Sequence, residues 1–160
     1  MNREFYLISD SGDEYTLSLS SDGLNLYDEI RKEFGIELIS IELMRIKGEG
    51  FTSRKILAEI ENLIADTFEM FPDSILFYYC DFLNPVPSGT KKLLPQEYRS
   101  RLFSCMFQRY LLHRDIVGIH EVVVTVDGDD GPYYFHMIAR ERHLPVVRRI
   151  GEKLQQDYEK

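Results

Sequence analysis

The most hydrophobic run of the chain ends on a carboxylate. Residues 75–82 read ILFYYCDF, so five apolar or aromatic residues lead into Cys80 and Asp81. Burying a carboxylate is costly unless a partner compensates it. Downstream, YRSRLF sets Arg99 and Arg101 near the start of a helix. A guanidinium matches a carboxylate with two parallel hydrogen bonds. The expected constellation is therefore an ion pair of Asp81 with Arg99 or Arg101. It serves either to hold the strand end or as an acidic or anion-binding site, since ligand crevices form where strands end before crossover helices. Cys80 points away from Asp81 along the strand and reads as a small buried hydrophobe.

A second group is RIKGEG, where Arg45, Gly48 and Gly50 lie between a strand and a helix. Unpaired N–H groups and the dipole at a helix start favour an anion there. The alternative is a plain strand-to-helix turn. Other groups offer less. DGDDG at 127–131 would need a bidentate glutamate at its twelfth position to bind calcium, and that position is Ile138. A hairpin turn is expected instead. His113, His120, His136 and His143 lack zinc spacing, no Ser/His/Asp order stands out, and Cys80 and Cys105 form no CxxC. No metal is expected. Lys91, Lys92, Arg99, Arg101, Arg109 and Arg114 are accompanied only by Glu97. They read as a solvated helix face, with a local polyanion site as the alternative.

These groups need elements to hold them. Phe5–Ser9 and YTLSLS at 15–20 read as antiparallel strands around the turn Asp10–Asp13. Residues 24–27 read as a brief strand, and 28–34 as one helical turn closed by Gly35. A longer strand follows at 36–46. Ile56, Leu57, Ile60, Leu63, Ile64, Phe68 and Phe71 recur at helical spacing, with Thr52 or Ser53 as N-cap. ILFYYC does not alternate, so both its faces should be covered, after a right-handed parallel crossover. Pro95 opens a helix to about Leu112 that buries Leu102, Phe103, Met106, Phe107, Tyr110 and Cys105. Residues 121–126 and 132–140 form a hairpin. With a turn centred on Asp129–Asp130, Val122, Val124 and Val126 share a face with Tyr133, Phe135 and Met137. Glu121, Thr125, Tyr134 and His136 take the other. Pro145 starts the last helix, with Val147, Ile150, Leu154 and Tyr158 on one side. The expected fold is α+β in one domain, 1–160. An N-terminal antiparallel meander leads into β-α-β-α-β-β-α around a mixed central sheet.

Two resemblances bear on function. Cys80-Asp81 at a strand end, then Arg99-x-Arg101-x-Phe103 opening a helix, resembles an uncharacterised family of small bacterial proteins, a domain of unknown function. The acidic, apolar helix at 53–71 and Leu144-Pro145 match it too, and the likeness spans about residues 4–155. The chain departs from that pattern in the loop FLNPVPSGTKK and in Met106-Phe107, where the family carries a tryptophan. That family implies no activity. More weakly, Arg45-x-x-Gly48-x-Gly50 resembles the pyrophosphate loop of the GCN5-related acetyltransferases, as does the order strand-helix-strand-helix-hairpin. That resemblance implies coenzyme A held at Arg45, Gly48 and Gly50, Glu42 or Asp81 as base, and Tyr110 as acid. Glu49 inside the loop and the absence of the two early helices of that family depart from its pattern.

Net charge is −8 at pH 7 and uneven. Residues 1–80 carry 7 basic and 16 acidic groups, residues 81–160 carry 12 and 11. Such a chain is a poor general binder of nucleic acid, whose affinity comes mainly from neutralised phosphates. The start MNREFYLISD has no apolar signal core, and no stretch is apolar enough to span a membrane. The two cysteines fit a reducing compartment. A cytoplasmic, non-catalytic protein is therefore expected, without cofactor, binding another protein and compatible with homo-oligomers. An acyl-coenzyme A-dependent acetyltransferase-like enzyme is the alternative.

Overall fold

A computed structural model describes residues 1–23, 25–50, 52–80, 94–129 and 131–158; the side chains of Cys80, Pro95 and Tyr158 are outside that description. Among the described residues the chain forms six strands and four α-helices. This is the expected α+β class. Contacts group the chain into two units, Met1–Ser74 and Ile75–Lys160.

In the first unit, β1 (Asn2–Ile8), β2 (Glu14–Ser20) and β3 (Glu37–Lys47) form an antiparallel meander. Alternation along β2 buries Tyr15, Leu17 and Leu19 on one face and leaves Thr16, Ser18 and Ser20 half-exposed on the other. The β1–β2 turn is tied by Ser9, whose Oγ accepts the Asp13 N–H at 2.9 Å. Helix α2 (Arg54–Met70) carries Ile56, Ile60 and Phe68 inward. Its N-cap is Ser53, whose hydroxyl accepts the Ile56 N–H at 3.3 Å.

Residues 24–34 differ from expectation. In place of a brief strand and a single turn, Asn25–Phe34 is a ten-residue helix, α1. The competing signals are helical. Tyr27 and Ile30, three apart, are both buried. Asp28 lies in the first turn, and Arg31 and Lys32 in the last, where the helix dipole favours them. Gly35 then ends the helix at φ +68°, the left-handed conformation that glycine takes without strain.

The second unit contains β4 (Ser74–Cys80) from Ile75 on, α3 (Pro95–Arg114), β5 (Ile119–Gly128), β6 (Gly131–Arg140) and α4 (Leu144–Tyr158). β6 pairs antiparallel with both β4 and β5. Gly128 pairs with Gly131, as the expected hairpin requires. The register sets Val122, Val124 and Val126 opposite Met137, Phe135 and Tyr133. In α4, Val147, Ile150 and Leu154 are buried. Helix α3 departs from expectation: Leu102, Phe103, Met106, Phe107 and Tyr110 are only half-buried, and Cys105 is exposed. Its buried positions are polar, Gln96 and Ser100.

Candidate functional site

Asp81 lies outside the described residues, and so does its expected pairing with Arg99 or Arg101. Lys91 and Lys92 lie outside them too. On α3, Arg99 is half-buried and Arg101 exposed.

Arg45, Gly48 and Gly50 are brought together at the end of β3. Arg45 Nη1 donates to the Gly50 carbonyl at 2.6 Å, and Nη2 donates to Tyr15 Oη at 2.8 Å and Thr52 Oγ1 at 3.1 Å. The guanidinium also lies 5.2 Å from the centre of the Tyr15 ring. Gly48 and Gly50 have φ of +118° and +83°. A side chain on Gly48 would collide with the Asp13 carboxylate, whereas space beside Gly50 is open. The loop is thus folded back on β3 by Arg45, with a carboxylate against Gly48 where the coenzyme reading would place a pyrophosphate. Glu42 is exposed on β3, and Tyr110 is half-buried with Arg114 4.9 Å from its ring centre.

The open face of the meander is a second feature. Tyr6 stands opposite Thr16, and Thr16 opposite Met44, so the three form one row. By alternation, Glu4, Ile8 and Glu42 share that face, and Ile46 lies at the bulge between the Tyr15–Arg45 and Glu14–Lys47 pairs. At one end the face is covered: Leu38 is buried, and Tyr27 of α1 hydrogen-bonds Ser40. At the other end Tyr6, Ile8, Met44 and Ile46 are 54%, 58%, 49% and 55% exposed. Glu4 and Glu42 flank them, exposed, and Tyr6 donates its hydroxyl to Glu14. That bond raises the Tyr6 phenol above its ordinary range, because ionising it would set an anion against a carboxylate.

The third feature joins residues that spacing alone did not connect. His136 is 0% exposed on β6. Its Nε2 lies 2.7 Å from Ser100 Oγ, and its Nδ1 lies 3.1 Å from Glu121 Oε2. The Glu121 side chain is 8% exposed, as is Ser100. The register explains the pair of strand residues. His136 faces Val123, and Glu121 stands two residues from Val123 on the same face. Ser100 comes from α3. Gln96, Ser100 and Phe103 fall at i, i+4 and i+7, a helical stripe whose polar members mark the side turned inward. Tyr78 and Phe103 stack at 4.3 Å, and the Phe103 ring meets His136 edge-on at 5.2 Å. With Glu121 ionised, the carboxylate only accepts, so Nδ1 carries hydrogen. In the tautomer with hydrogen on Nδ1 alone, Nε2 is the acceptor for the Ser100 hydroxyl.

Among the described residues, no group of three histidine, cysteine, aspartate or glutamate side chains could hold a metal. No described helix is long and apolar enough to cross a membrane. Comparison with protein-family models, curated proteins and solved structures gave no match.

Proposed function

We propose that this chain is a cytoplasmic protein-binding module whose contact surface is the open end of the β1–β3 face. The observation carrying this reading is the set Tyr6 and Ile8 on β1 and Met44 and Ile46 on β3, about half exposed on either side of Thr16 of β2 and flanked by Glu4 and Glu42. Exposed apolar side chains gathered on one sheet face and rimmed by polar groups are characteristic of protein contacts. The excess of 16 acidic over 7 basic groups in residues 1–80 selects the partner class: a protein segment carrying apolar and basic side chains.

Photo-crosslinking from positions 6 and 44 in the cells that make the protein tests this. The expected result is the same partner from both positions, its crosslinked peptide rich in lysine or arginine. The adduct should disappear in an Ile8→Ser, Ile46→Ser variant that still melts cooperatively. No specific adduct at either position would overturn the reading. The competing reading is an acetyltransferase-like enzyme using acyl-coenzyme A. It would gain if coenzyme A raised the melting temperature of the wild-type chain and large side chains at Gly48 and Gly50 abolished that rise.

A further inference from the structure

We propose that Ser100, His136 and Glu121 form a nucleophilic serine centre for small esters with an apolar acyl group. The proposal stands apart from the binding face, because all three residues belong to the second unit.

Three elements each contribute one member, and the order of contacts is chemical. The Ser100 hydroxyl reaches His136 Nε2 at 2.7 Å, and the other ring nitrogen reaches the Glu121 carboxylate at 3.1 Å. A hydroxyl–imidazole–carboxylate chain of this polarity can take a proton from the serine and hold the imidazolium that results. Burial adds weight. An apolar replacement of a buried polar cluster is often neutral or stabilising, so stability alone is a weak reason for this one. Both residues are buried, His136 at 0% exposed and Ser100 at 8%, so the base is the more deeply enclosed of the two. The stacked Tyr78 and Phe103 rings beside His136 give an apolar wall suited to a short acyl chain or aromatic ring.

In the step, Ser100 Oγ bonds to the ester carbonyl carbon as its proton passes to His136 Nε2. The C–O bond to the alcohol then breaks, and the alcohol leaves with that proton. Water attacks the acyl-serine carbonyl, giving its proton to His136. The acid departs as Ser100 recovers its hydrogen. The sum is ester plus water to acid plus alcohol. Ser100 is the catalytic nucleophile and His136 the catalytic base. Glu121 is a positioning residue.

The test treats the whole folded chain with a small alkyl fluorophosphonate, in which an Oγ–P bond replaces P–F and fluoride leaves. Intact mass and peptide mapping then locate the adduct. One adduct on Ser100 is expected, with none on Ser100→Ala. Glu121→Gln should slow labelling on the order of 100-fold, and Glu121→Asp should restore part of the rate, which a merely structural role would not do. Hydrolysis of p-nitrophenyl acetate should follow the same ranking. If the wild-type chain takes no adduct while a serine hydrolase in the same tube does, the proposal fails whatever the variants do. An adduct that persists in Ser100→Ala overturns it equally.

Discussion

At the scale of single residues, Gly48 and Gly50 separate two reasons for a glycine. Both have positive φ, and an L side chain at such a position costs about 1–2 kcal/mol. Only Gly48 also abuts the Asp13 side chain. Gly50→Ala should therefore lower stability by about 1 kcal/mol and Gly48→Ala by about 2–3 kcal/mol, read as urea midpoints at constant slope. Equal losses would mean that Asp13 swings aside freely. His136 poses a different problem. His136→Ala removes the partner of a buried carboxylate, and stranding one partly buried charge costs about 3–5 kcal/mol. Glu121→Gln leaves a neutral acceptor and should cost much less. Sequence reasoning set Glu121 and His136 on one face because strand alternation is a reliable rule. Ser100 escaped it because the inward side of α3 was legible only through its apolar residues Leu102, Phe103, Met106, Phe107 and Tyr110, and a buried serine carries no such signal.

At the scale of elements, α1 shows where pattern reading gave way. A ten-residue segment has little intrinsic helical stability, and isolated helices of that length are marginal. Burial of Tyr27 and Ile30 supplies what propensity lacks. Arg31 supplies more: it donates to Glu37 on β3 at 3.0 Å and to the Ser21 carbonyl at 2.9 Å. That tertiary contact is invisible in local sequence. It holds the Glu37 carboxyl below its ordinary range, and the Arg31 hydrogen bond is the main cause. A lowered carboxylate pKa stabilises the fold at pH values above the unfolded pKa, about 4.3 for glutamate. The contribution disappears as pH falls through the lowered folded value. Melting temperatures of the wild-type chain and Glu37→Gln should thus differ most near neutrality and converge in acid. A gap that stays constant down to about pH 3 would remove Arg31–Glu37 as its source. The longer elements were legible because their signals are local: two-residue alternation in β2, apolar spacing in α2, proline at the start of α3. Ser53 was legible as one of two N-cap candidates for the same reason, and Ser53→Ala should cost about 1 kcal/mol.

At the scale of the whole molecule, charge separates along the chain. A net −8 with a balance of −9 in residues 1–80 leaves the rest near neutral, although exposed arginines such as Arg101 and Arg109 punctuate α3. The apolar patch lies within the acidic part, so the proposed partner contact should have two separable contributions. Charges act over a Debye length of about 10 Å at 0.1 M salt, shrinking to about 3 Å at 1 M, whereas apolar contact is not screened. Glu4→Gln combined with Glu42→Gln should slow association with the crosslinked partner at low salt and flatten its salt dependence. It should leave affinity above about 0.5 M salt nearly unchanged. Met44→Ser combined with Ile46→Ser should weaken binding by about tenfold or more at every salt concentration, mainly through faster dissociation. Surface plasmon resonance across a salt series distinguishes the two. If the apolar variant loses affinity only at low salt, the patch is a bystander to a purely electrostatic contact. If the glutamine variant keeps the full salt slope, the charge that selects the partner lies elsewhere than on this face.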